Sequence, residues 1–100
     1  MDEARYLQMK KETFIKNLKD DIEHYQRVNQ GHQRDIASFT QYTKDQIERL
    51  QTYKMTPGER EQERAILEYR LQKDTLERSE DIEKNKKLIL FMQVKLKELE

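Results

Sequence analysis

The sequence predicts an all-α fold: a long antiparallel helical hairpin of coiled-coil type that dimerises into a four-helix bundle. Three observations carry this expectation. The 100 residues are 40% charged and include only two glycines and one proline, so the backbone has few places to leave a helix. The apolar residues, 34% of the chain, recur at three- and four-residue intervals, which gathers them on one stripe of a helix. The single proline lies just past the midpoint, in Met55-Thr56-Pro57-Gly58-Glu59, where one periodic run stops and another starts. So small an apolar fraction cannot fill a wide globular core, but it can line narrow seams between long helices. The whole chain, 1–100, reads as a single hairpin domain with a first arm over about 2–54, a turn at 55–57 and a second arm over about 57–100.

In the first arm an unbroken three-four spacing runs Ile15, Leu18, Ile22, Tyr25, Asn29, His32, Ile36, Phe39, Thr43, Gln46, Leu50, Tyr53. This is a heptad seam with Ile15, Ile22, Asn29, Ile36, Thr43 and Leu50 at the a positions. Leu7, Phe14, Val28 and Tyr42 flank it at g, as expected of a helix that touches more than one neighbour. Gly31 is the weak point, since a mid-helix glycine costs about 1 kcal/mol relative to alanine and Asn29-Gln30-Gly31 resembles a helix end. The heptad keeps its phase across it, however, which favours one continuous helix over a three-helix arrangement.

The turn follows from capping chemistry. Thr56 has a hydroxyl suited to an N-cap, Pro57 falls at the first helical position where its missing N–H costs nothing, and Glu59 completes the capping-box spacing three residues after Thr56. Gly58 lies between them. Carrying the first heptad through this point would put Pro57, Arg60, Arg64, Asp74, Arg78 and Asp81 on the seam, so the chain is expected to reverse rather than continue as a kinked rod.

The second arm has a clear late seam of Ile82, Asn85, Ile89, Met92, Leu96 and Leu99, whose backward extension is occupied by Thr75 and Arg78, so a phase shift or fraying is expected between Leu71 and Ile82. Folding back about the turn sets residue i roughly opposite residue 111 minus i. Ile22 then meets Ile89, and Ile15 meets Leu96. Asn29 and His32 fall opposite Ser79–Ile82, a polar layer that would fix register and leave the middle wet. Acid-first i,i+4 pairs recur on the outer faces: Glu12/Lys16, Glu23/Arg27, Asp45/Arg49, Asp74/Arg78, Glu80/Lys84 and Glu83/Lys87. Each is expected to add about 0.3 kcal/mol of helix support.

Leu88-Ile89-Leu90-Phe91-Met92, with Val94, Leu96 and Leu99, is apolar around more than one face. A single partner helix covers only one stripe, so Leu90, Phe91 and Val94 would remain outside an isolated hairpin. The expected interface therefore comprises Phe14, Ile15, Leu18, Ile22, Val28, Ile36, Phe39 and the apolar residues from Leu88 to Leu99. The expected partner is a second copy, with a heterologous helical protein as the alternative. The uncapped end Lys97-Glu98-Leu99-Glu100 suits a fragment of a longer coiled-coil protein.

The charge balance, twenty basic against twenty acidic residues, gives no global field toward nucleic acid or anionic membrane. Only the lysines at 84–97 and the bases at 5–19 leave room for weak nucleic-acid or membrane-surface contact at the open end. Without a membrane span or signal peptide, the chain is expected to be cytoplasmic or otherwise intracellular. Asp20, Asp21 and Glu23 beside His24 could form part of a metal site, but such a site needs inward ligands from facing helices, and the second arm has no histidine. No cofactor is expected, and with no cysteine, nucleophile elbow or phosphate loop the sequence reads as non-enzymatic. The functional expectation is a structural or scaffolding module mediating self-association or helix docking. The alternative is a small regulatory protein that sequesters a partner through its Leu88–Leu99 face.

Overall fold

The computed structural model describes residues 2–100. It is a helical hairpin, with α1 spanning Glu3–Leu50 and α2 spanning Pro57–Leu99. Asp2 starts α1, its carboxylate accepting from the Ala4 amide at 3.3 Å and its carbonyl from the Tyr6 amide at 3.1 Å. Gly31 does not interrupt α1. Neither glycine has positive φ, so neither position needs the freedom that a missing Cβ confers.

The connection is longer than its composition suggests. α1 ends at Leu50, and residues 51–56 form the loop. The last turn of α1 tightens through Gln51 N–H to Glu48 O, Thr52 N–H to Arg49 O and Tyr53 N–H to Leu50 O. The Thr52 hydroxyl also donates to Arg49 O at 2.7 Å. These three-residue bonds satisfy carbonyls that α1 would otherwise leave open, and they stop the heptad before Tyr53, which is exposed. α2 starts as expected: Thr56 Oγ1 accepts from the Glu59 amide at 3.2 Å and donates to Glu59 Oε1 at 3.1 Å. Arg60 then ties the helices together, donating through Nε to Leu50 O and through a terminal nitrogen to Tyr53 O, both at 3.2 Å.

The chain forms two compact units, Gly31–Asp81 around this turn, and the N-terminal residues up to Gln30 together with Ile82–Glu100. In the second of these, Leu18, Ile22 and Met92 form the core, with Tyr25, Ile89, Leu96 and Leu99 packed against it. The helices run antiparallel, and Asn29 bonded to Ile82 fits the predicted mirror relation. In the turn unit, Leu50 and Thr43 are buried, while Ile36, Phe39, Leu67, Leu71, Thr75 and Arg78 are half-buried. The spacing 67, 71, 75, 78, 82 along α2 contains the expected phase shift, and the helix continues through it without fraying.

Of the six acid-first pairs only Glu23/Arg27 forms, at 3.7 Å. Glu83 instead meets Lys86 at 3.4 Å, Asp45 accepts from Gln41, and Arg78 pairs across the helices. Exposed pairs gain too little to hold two long side chains in one geometry. Arg64 does hold Glu68 at 3.0 Å; this hydrogen bond, then the charges of Glu68 and Glu61, raise the Arg64 pKa.

A Cβ at Gly31 would meet nothing within 4 Å. Gly31→Ala is therefore expected to stabilise the protein by about 0.5–1 kcal/mol, read as a higher urea midpoint at unchanged m-value. A lower midpoint would show that this position requires glycine.

Candidate functional site

The residues singled out in the sequence divide into two sets. Leu18, Ile22 and Met92 are buried between the helices with Ile89, Leu96 and Leu99 packed against them, Ile15 is half-buried on α1, and in the turn unit Ile36 and Phe39 are half-buried. These positions hold the hairpin together. Val28 is half-buried at the seam's edge. The second set faces outward: Phe14 is 46% exposed, Leu88 38%, Leu90 62%, Phe91 69% and Val94 52%. This is the division the heptad spacing implies, because α2 can turn only one stripe toward α1. Tyr6, Leu7 and Met9 on α1 are also exposed, and Tyr6, Met9, Thr13 and Phe14 help to line a shallow cavity of about 350 Å³.

The polar layer is drier than expected. Asn29 is only 7% exposed. Its Nδ2 donates to Ile82 O at 3.2 Å, and its Oδ1 accepts from Asn85 Nδ2 at 2.9 Å. Burial here is tolerable because donor and acceptor are both used. Among the described residues no buried side-chain polar atom lacks a partner.

His32 sits in a cluster that the spacing alone did not reveal. Arg78 approaches His32 Nδ1 at 3.1 Å and Asp35 Oδ2 at 3.5 Å, and its guanidinium lies 5.9 Å from the centroid of the Phe39 ring. Arginine has no acceptor, so the contact is a hydrogen bond in the tautomer whose Nδ1 carries no proton. Arg78 was visible as a charge on the backward extension of the α2 seam, and the mirror relation puts it beside His32. What remained hidden was Asp35, at a flanking g position, which supplies the opposite charge.

Two tyrosines on or beside the predicted seam lie outside it: Tyr53 is 50% exposed because α1 ends at Leu50, and Tyr42, at its g position, is 62% exposed. Tyr25 does pack on the core. The turn unit has an open groove of about 650 Å³ lined by Thr40, Glu68, Leu71, Gln72, Thr75, Leu76 and Ser79. Short polar side chains at Thr40, Thr75 and Ser79 leave the helices incompletely filled there. His24 packs edge-on against Tyr25, with centroids 5.2 Å apart. Among the described residues no three His, Cys, Asp or Glu side chains converge on a metal-binding position, and no helix is long and apolar enough to cross a membrane.

Asn29→Ala is expected to cost about 1–3 kcal/mol, because it leaves the Asn85 amide without its partner and removes the cross-helix bond to Ile82 O, a carbonyl that retains its bond within α2. The double replacement Asn29→Leu/Asn85→Leu should recover most of that loss. Urea unfolding of both variants checks this, and a double variant no more stable than Asn29→Ala would contradict it. Comparison of the chain with protein-family models, curated proteins and solved structures returns no match.

Proposed function

We propose that the chain is a non-enzymatic scaffolding module, a coiled-coil hairpin that self-associates or docks partner helices through the outer face of α2 between Leu88 and Leu99. The observation that carries this reading is the outward placement of Leu90, Phe91 and Val94, each more than half exposed, on a segment whose inward residues Ile89, Met92 and Leu96 already belong to the hairpin's core. Burying an apolar side chain of this size is favourable by about 1.5–3 kcal/mol, so a contiguous exposed group of them supports a role in association. Phe14, Val28 and Leu88 extend the apolar surface along the g flanks of the two helices. The lysines around the block keep it soluble without closing it, since long basic stems can cover apolar surface while the ammonium groups stay in water.

The paired variant Leu90→Asp/Phe91→Asp is expected to abolish association while leaving helicity intact, because neither side chain is buried in the hairpin. Sedimentation velocity and far-ultraviolet circular dichroism test this together. Glu63→Ala, on the solvated part of α2, should change neither. Equal association in all three proteins would remove the reading.

A further inference from the structure

The outer face of α2 bears a charge pattern that specifies how it would be covered. Lys84, Lys87, Phe91, Val94 and Glu98 follow one another at three- and four-residue spacing, a second stripe on the side away from the α1 seam. Its basic residues lie toward one end, its acid lies at the other, and its apolar pair is in the middle. Leu88 and Leu90 flank Phe91 on either side.

We propose, building on the scaffolding reading, that the occupant of this stripe is the same stripe of a second copy, docked antiparallel about a two-fold axis near Phe91 and Val94. Inverting the stripe onto itself sets Phe91 against Val94 of the partner subunit and Lys87 against Glu98 of the partner subunit, and the two-fold repeats both contacts. The flanking rows bring Leu88 to the stem of the partner's Lys95 and Leu90 to the stem of the partner's Lys97. A parallel alignment fails on charge, since it stacks Lys84, Lys87 and Glu98 on their own copies. The residues are free to pair in this way. Lys87 forms no ion pair among the described residues, and Glu98 meets its own Lys95 through Oε2 at 3.7 Å, leaving Oε1 for a second cation. Both partners in that intrahelical pair are largely solvated, so it competes weakly.

The test is charge reversal read by sedimentation equilibrium on the full chain, with circular dichroism as a check on folding. Lys87→Glu and Glu98→Lys, each alone, place like charges together twice per dimer and are expected to weaken association about tenfold. Combining them in one chain restores the opposite charges and should bring the dimer back to within about threefold of the original. Single reversals without effect, in a dimer that Leu90→Asp/Phe91→Asp still abolishes, overturn the antiparallel pairing and leave the scaffolding reading standing through self-association. A double reversal as weak as its parents also overturns the pairing. An original chain that stays monomeric at about 100 μM but binds a helical partner through Phe91 overturns the second copy as occupant alone. A monomer whose Phe91 face binds no helical partner overturns both.

Discussion

Two helices can bury only one stripe each against one another, and this constraint governs the rest of the structure. A seam of that width gains burial from one or two side chains per turn. Among the described residues five apolar side chains are buried, Leu18, Ile22, Leu50, Ile82 and Met92, and the largest of the others remain half-exposed or outside. With so little apolar contact, any polar group that enters the seam must have its bonds satisfied there, because no surplus of burial offsets an unmade one.

The polar groups in the seam meet that requirement by different means. Asn29 uses its amide nitrogen on a backbone carbonyl of the facing helix and its oxygen on Asn85. A shift of one residue would break both bonds, so the pair favours a single register as well as filling space. Arg78 brings a full charge to the edge of its seam, where His32 supplies an acceptor, Asp35 a counter-charge and Phe39 a ring. Its partial exposure keeps the desolvation cost low, as the ends of the guanidinium still reach water. Arg60 works by the same donor chemistry at the turn, adding a bond to Leu50 O and reaching Tyr53 O in the loop. Arginine suits both positions because its several fixed donors can serve two acceptors at once.

The same narrow seam explains the outer face of α2. Between Leu88 and Leu99 the helix has more apolar residues than one stripe accommodates, and those beyond the stripe remain exposed. In the turn unit the opposite imbalance holds: Thr40, Thr75 and Ser79 are too short to fill the seam, and a groove opens beside Leu71 and Leu76. One stretch therefore has excess apolar surface and another has too little. Both follow from where the sequence places large and small residues along a fixed helical period.

The sequence by itself determined the all-α class, the hairpin reversal, the start of α2 at Thr56-Pro57 and the identity of the seam, because heptad spacing and capping are local rules whose partners lie within a few residues. It also determined that Leu90, Phe91 and Val94 would lie outside, since periodicity alone assigns them to the far side of α2. Tertiary structure decided the rest. The tie from Arg60 back to Leu50 O and Tyr53 O is made across the turn, and the dry state of Asn29 depends on Ile82 O and Asn85. The accommodation of Arg78 depends on His32 and Asp35. Each of these is a contact between side chains or carbonyls far apart in the chain, where success depends on a hydrogen bond of about 3 Å. A spacing rule accurate to one residue rise of about 1.5 Å can bring such groups near one another, but only the packed helices fix which atoms meet.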